Sequence, residues 1–458
     1  MGLYCFLVPG GRRHNTVIDV SVIVTVVALG VVAAGLLHSP ESELPAGNAV
    51  SSGEAARDGD YSIVSESVEY PVDIPGCSEV EPPPPSEDGR LISVIGSQAP
   101  SYDNPAYPWL TASKAGAMTD ALVGALPADV TVKLAAPSQS LTFQPVDDFG
   151  GNVPEGLEAS TSARGDLTRA GISAFASVDV RPSNTGVPAC VAGVLDARTT
   201  EPDGTVVDTD DSWYEIGGDR TNSRRATAYH PDGTLVTANL STTVGPEFPL
   251  DTSELTRIAA LAGLRVGSPA PAGSAAPRQD CSVSLAGEAT AVDIDEESLD
   301  AANEALTTTW QALPDAPVLN RPIGSLVPDR TGRGACTDID VVNSDVALSI
   351  SVSSGAALPV ARDPYDPANA YEPVVELRTL PDSSVLESYD VDLSSSMTAE
   401  DGTMRLARSV TLTRPSGVQV SVRSTADFVP GGGRSTRPEP LPLELLDAVA
   451  QAPITEWP

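Results

Sequence analysis

Two periods of hydrophobicity divide this chain, and an unbroken apolar run precedes both. From Val20 to Leu37 no residue carries a charge. Eighteen residues at about 1.5 Å rise give roughly 27 Å of helix, close to the ~30 Å hydrocarbon thickness of a bilayer. Further on, Leu110, Met118, Leu122 and Leu126 fall roughly on one helical face, as do Leu299, Ala302, Leu306, Trp310 and Leu313. Elsewhere the period drops to two. Val346, Leu348, Ile350 and Val352 alternate with small or polar residues, and so do Val410 with Leu412 and Val418 with Val420 and Val422. That alternation predicts antiparallel strands with one buried face. Between two such runs, Arg414-Pro415-Ser416-Gly417 predicts a hairpin, since proline presets φ and glycine accepts positive φ. Pro231-Asp232-Gly233 repeats the signal, with Ala226, Ala228, Val236 and Ala238 inward. Asp251 and Glu254 predict a capping box opening a short closing helix.

These signals recur in one order. Tyr229–Thr234 matches Thr413–Val418 at an offset of 184, and at that offset Arg224 meets Arg408, Thr227 meets Thr411 and Val236 meets Val420. Earlier turns match as well, Glu201–Gly204 with Leu380–Ser383, and both opening helices end in Ala-Leu-Pro, at Ala125–Pro127 and Ala312–Pro314. The shared order argues for duplication. The first copy reads as carrying about forty extra residues before the Ile172–Val180 strand, where Leu157 to Ala170 is assigned to neither loop nor helix.

The fold expected is α+β: an N-terminal transmembrane helix, then two related domains, each an antiparallel sheet packed by an opening and a closing helix. The expected boundaries are a cytoplasmic tail at 1–15, an anchor at 16–37 and a flexible stalk at 38–75. A first domain at 76–265, a linker at 266–280 and a second domain at 281–458 follow. Arg12 and Arg13 precede the apolar run and no basic residue follows until Arg57. That asymmetry predicts a single-pass plasma-membrane protein with a cytoplasmic N-terminus and an extracytoplasmic C-terminus. A cleaved signal peptide is the rival reading; the run is long for one, and Leu36-Leu37-His38-Ser39-Pro40 is a poor cleavage site.

Charge narrows the partners. With 62 acidic against 27 basic residues and a net charge of −35, the surface repels phosphate backbones, so nucleic acid is not an expected partner. The expected partners are the lipid bilayer, through residues 16–37, and an envelope protein, peptide, glycan or lipid. Cysteine usage fits an oxidising compartment. Cys77, Cys190, Cys281 and Cys336 follow the anchor, and pairing Cys77 with Cys190 and Cys281 with Cys336 keeps each bridge within one domain. A zinc site from all four is disfavoured, because no two are close in sequence.

Catalytic chemistry is scarce. His230 is the only histidine in the two domains, and at a turn position it reads as a solvated residue. Neither a nucleophile elbow nor a phosphate-cradling loop occurs. Asp208, Asp210, Asp211 and Asp219 have roughly calcium-loop spacing, but Trp213 stands where the tight-turn glycine belongs. Asp293, Asp295, Glu296 and Glu297 suit a helix N-terminus, and Trp109 and Trp310 read as core anchors. No metal and no cofactor is expected. The function expected is non-catalytic binding, with a carboxylate-dependent extracytoplasmic hydrolase as the alternative, because paired acids are the one catalytic group in supply.

The second copy, from Glu376–Asp382 through Thr413–Val418 to Pro440–Leu443 and the last helix, resembles uncharacterised extracytoplasmic proteins of actinobacteria. They share its LPDG-type turn, RPDG-type hairpin and closing Pro-Pro-Leu helix. The resemblance implies a membrane-anchored or exported envelope protein and brings no activity or binding residue with it.

Overall fold

A computed structural model describes residues 63–83, 101–146, 159–283, 294–360, 375–392, 404–428, 438–454 and 457. The expected tail and anchor at 1–37 lie outside the described residues. Among those described, no helix is long and apolar enough to cross a membrane. The chain divides into two compact units. One comprises residues up to Lys133 with Gln139–Arg278, the other Leu134–Ser138 with Gln279–Pro458.

In the first unit the strands are β1 (Ile63–Ser65), β2 (Val80–Glu81), β3 (Thr131–Val132), β4 (Thr161–Arg169), β5 (Ile172–Pro182), β6 (Cys190–Val191), β7 (Ala197–Thr200), β8 (Val206–Ile216), β9 (Asp219–Tyr229) and β10 (Thr234–Thr242). The main sheet runs β1-β8-β9-β10-β5-β4-β3, with β7 also paired to β8. Helix α1 (Ala112–Ala125) lies between β2 and β3 along the chain, and α2 (Thr252–Ala259) follows β10. Alternation along the strands buries Ala163, Leu167, Val178, Val180, Val207, Ala226, Ala228, Val236 and Ala238 in one core with Met118, Leu122, Leu255 and Ile258 of the helices. The opposite pleat face is left to polar side chains. The α2 capping box forms as its sequence directs: Asp251 accepts from the Glu254 amide, and Glu254 accepts from the Asp251 amide.

The second unit has α3 (Glu296–Ala312), β11 (Val327–Pro328), β12 (Gly334–Asp340), β13 (Val346–Ser353), β14 (Glu376–Thr379), β15 (Val385–Asp392), β16 (Met404–Thr413), β17 (Gln419–Phe428) and α4 (Leu443–Ala450). Its sheet order is β11-β12-β13-β17-β16-β15-β14. Strand for strand this is the order β3-β4-β5-β10-β9-β8-β7. The registers agree in detail. Val236 faces Val180 and Ala228 in the first sheet, and Val420 faces Val352 and Leu412 in the second. Val207 faces Ala228 and Thr199, as Leu386 faces Leu412 and Arg378. Both hairpins turn through a glycine at positive φ, Gly233 at 79° and Gly417 at 87°.

Two expectations need correction, the fold class and the insertion, and two expected connecting segments carry structure of their own. The α+β class gives way to a mainly β molecule with two large antiparallel sheets and few helices. Strands reach 11 residues, while α2 and α4 have eight each. Alanine lines much of the first core, so its alternation is faint in hydrophobicity and the strands are under-read. The forty-residue insertion is instead β3 and β4, the counterparts of β11 and β12, with Ala170 and Gly171 turning the β4–β5 hairpin. The stalk at 38–75 is structured from residue 63. Ile63–Ser65 pairs with Ile216–Tyr214 and Ile74 is buried, because this segment completes the sheet edge. The linker at 266–280 is packed onto α1. Lys114 donates to the carbonyls of Gly263, Arg265 and Ser268 at 3.4, 2.8 and 2.6 Å. Gly116 lies so close to Ala275 that a Cβ would meet its carbonyl oxygen at 1.9 Å.

Candidate functional site

The pleat turns one face of each sheet toward the helices and leaves the other face polar. On the first sheet that outer face carries Arg164, Ser177, Asp179, Asp208, Asp210, Arg225, Tyr229, Thr237 and Asn239. All are out of phase with the core residues of the same strands. Five strands contribute one cross-strand row: Arg164–Ser177–Asn239–Arg225–Asp210.

Ion pairs order one side of this face. Arg198 grips Asp208 through Nε at 2.6 Å and Nη2 at 2.8 Å, and both side chains are largely buried. Arg225 reaches Asp210 at 3.1 Å and the Val194 carbonyl at 3.3 Å. A strap covers that side. Cys77 and Cys190 are joined, β2 and β6 pair in parallel, and Ile74, Leu195 and Val194 pack around the bridge. Burial under the strap pushes the Asp210 carboxyl up to about 6 against the opposing pull of Arg225. Burial, then the charge of Asp208, pushes the Tyr229 phenol up to about 12. Asp179 is also raised by burial, with Arg164 pulling it back.

Two raised carboxylates on one face invite comparison with an acid–base pair. The strand order β8-β9-β10-β5 separates Asp210 from Asp179 by three strand spacings, roughly 14 Å or more. Glycosidase-type pairs sit about 5–9.5 Å apart, so these two do not form one.

On the second sheet the same row reads Asp338–Ser349–Arg423–Ser409–Tyr389. Ser349 donates to Asp338 at 2.6 Å, and in the neighbouring row the hydroxyls of Thr411 and Ser421 lie 3.0 Å apart. Arg423 makes no ion pair among the described residues, and its buried Nε has no hydrogen-bond partner. The Cys281–Cys336 bridge is anchored on β12, with Cys336 two residues from Asp338.

The other residues singled out from the sequence have structural work. His230 is buried rather than solvated, because the hairpin turn packs against the end of α2. Its Nε2 lies 3.2 Å from the Ala259 carbonyl, and its Nδ1 accepts from Arg265 at 3.0 Å. Burial, then the neighbouring Arg265 charge, lowers its pKa. Arg265 also pairs with Asp203. In the second unit Arg414 takes both roles, donating to the Ala452 carbonyl at 2.7 Å and lying 3.9 Å from Asp382. The calcium-like run sits on strands β8 and β9, where Asp208, Asp210 and Asp211 each pair with an arginine; Trp213 packs under the Arg220 guanidinium at 3.7 Å. Asp295 caps α3 through the Ser298 amide at 2.7 Å. Trp109 and Trp310 are half-buried against their cores.

Two carboxylates recur at equivalent places, and both are engaged. Arg224 pairs with Asp211 at 2.6 Å and donates to the Leu250 carbonyl; Arg408 pairs with Asp390 at 3.1 Å and donates to the Pro440 carbonyl. In each unit this arginine ties a central strand to the approach of the closing helix. Asp203 and Asp382 cap their turns through the Thr205 and Ser384 amides. The backbone bond holds Asp203 down to about 2.

No family model and no curated protein matches the chain. Solved structures of slight likeness include two described as thioesterases. An acyl-CoA thioesterase II, TesB2, from Mycobacterium marinum is 11% identical over 51% of this chain and 78% of that one, with a TM-score of 0.09. A proposed thioesterase II from Thermobifida fusca YX is 12% identical over 69% of this chain and 99% of that one, also at 0.09. At those scores neither bears on the fold or chemistry of this chain.

Proposed function

We propose that this is a non-catalytic binding protein of the cell envelope, held to the plasma membrane through residues 16–37 with both units on the extracytoplasmic side. The observation that carries the reading is the contrast between the two kinds of polar residue in each unit. The carboxylates that recur in both copies are engaged in ion pairs and turn caps, whereas the outer sheet faces keep rows of polar side chains that differ from copy to copy. A shared scaffold with divergent faces suits recognition better than a shared reaction. Hydroxyls, an amide and guanidinium groups favour a peptide or glycan over a lipid chain. Two disulfides, Cys77–Cys190 and Cys281–Cys336, support an oxidising compartment.

The test places a photo-crosslinking residue at Thr237 on the outer face, or at Arg257 on α2, in cells carrying a C-terminal activity reporter. An extracytoplasmic reporter signal and adducts from position 237 alone support the proposal. A cytoplasmic signal, or equal adducts from both positions, sinks it.

A further inference from the structure

We infer that the outer face of the second sheet binds an oxyanion through Arg423, with Ser409 as a flanking hydroxyl donor. The comparison with the first unit points there. In the first sheet the row position of Ser409 is held by Arg225, which has its own carboxylate in Asp210 one strand further on. In the second sheet the arginine moves to the centre of the row, and the position of Asp210 is taken by Tyr389.

The chain carries 62 acids against 27 basic residues, and on these two sheet faces arginine ordinarily meets aspartate. Arg423 is an exception among the described residues. Asp338 lies in its row, but that carboxylate accepts from Ser349 at 2.6 Å and makes no ion pair with Arg423. The Nε–H of Arg423 is buried and unmatched. A guanidinium presents a rigid fork of donors suited to a carboxylate or a phosphate, so an oxyanion in the plane of that fork satisfies the orphan donor. Ser409 directly opposite Arg423 is buried, and its hydroxyl makes no hydrogen bond to the described residues, which leaves it free to donate. Tyr389 closes the row beyond it.

The ligand class is a carboxylate or a phosphate group carried by a polar molecule lying across the strands. This rests on the reading of the sheet faces as binding surfaces and adds the chemistry of one of them. The chain's own net charge of −35 opposes anions at long range, so a lone phosphate or acetate is expected to bind weakly, on the order of 1–10 mM.

The experiment uses the full chain in detergent with arginine labelled at nitrogen, titrated with sodium phosphate and separately with sodium acetate at constant ionic strength. One Nε–H resonance should move saturably and be missing in Arg423→Gln. Equilibrium dialysis of radiolabelled phosphate should show a loss of ten-fold or more in Arg423→Gln and a smaller loss in Arg423→Lys. Arg330→Gln, on an exposed side chain paired with Asp280, should bind as the wild type does. A response to phosphate alone supports a phosphate-bearing ligand, and a response to both supports a carboxylate as well. The inference fails if no resonance saturates, or if Arg423→Gln binds phosphate unchanged. It also fails if the Arg423 Nε–H already shows a hydrogen-bonded shift that neither anion alters, which would mean the chain's own carboxylate fills the site. Because the titration reads wild-type protein directly, misfolding of a variant does not protect the idea. Crosslinking from Thr237 that persists without phosphate binding would remove this inference and leave the proposed function standing.

Discussion

The two units share strand order and registers, yet they diverge in three places: the outer face, the covalent bridge and the hairpin latch. The first unit keeps paired charges under a strap closed at Cys77–Cys190, lying over the β7–β8 side of its sheet. The second is bridged toward the opposite end of its sheet, where Cys336 sits on β12, and leaves hydroxyls around one arginine. At the hairpin, His230 and Arg265 divide between them what Arg414 does alone. What persists in both copies is the arginine at 224 or 408 that bonds a neighbouring strand's aspartate and a carbonyl before the closing helix. The two units have in common the parts that hold strand to helix and differ in those that face outward.

The largest test of this contrast is covalent. The bridges span sequence separations of 113 and 55 residues, for which the chain-entropy model gives about 4.8 and about 4.2 kcal/mol. Serine at both Cys77 and Cys190 should cost the first unit that much and expose amides of the strap; serine at Cys281 and Cys336 should act on the second unit alone. Hydrogen exchange resolved by residue reads both. Equal losses of protection in both units from either pair would break the picture of independent bridges.

Asp210 comes next, and its sign runs against the usual carboxylate. Its folded pKa of about 6 lies above the unfolded value of 3.8. Proton uptake therefore favours the fold: the contribution is full below 3.8 and is lost as pH rises through about 6. A shift of that size corresponds to about 3 kcal/mol. Denaturant midpoints of the first unit, measured from pH 4 to 7 in wild type and Asp210→Asn, should converge with acid by that sense. Parallel curves would show that Asp210 is not buried as described.

Arg224→Leu and Arg408→Leu should each cost about 1–2 kcal/mol, since each leaves a carboxylate and a carbonyl without their donor on a partly exposed surface. Similar losses in the two units, read by urea unfolding, support a common latch; a loss in only one would mean the shared geometry is incidental. The smallest effect belongs to His230. Its pKa is lowered by folding, so its contribution is present above the ordinary value near 6.5 and is lost as pH falls through the depressed one. The first unit should weaken on that side of pH 6.5, His230→Gln should abolish that component, and the Arg414 latch should show none.

Much of the second unit was legible because its core strands carry valine, leucine and isoleucine at strict alternation, and because Pro415 and Gly417 mark their turn. The first unit was harder. Along β4 the inward residues Ala163 and Gly165 are too small to register beside Leu167 as a hydrophobic period, and β9 carries three arginines among its eleven residues. The candidate faces could not be read at all. Arg164, Ser177, Asn239, Arg225 and Asp210 lie on five strands far apart in sequence, and only pairing aligns them. His230 misled for a related reason. A histidine after a strand and before Pro-Asp-Gly reads as exposed unless one knows that a helix end closes over it. The offset of 184 between Arg224 and Arg408 did point to a real shared position, but not to its bonding.

Lys114 leaves one more consequence. The sequence contains only two lysines, and the other, Lys133, is exposed. With Lys114 buried and clamped by three carbonyls, a lysine-specific protease acting on native protein should cut after residue 133 and spare 114. Cleavage after 114 then becomes a clock for the opening of the first unit, read from a single new band on a gel.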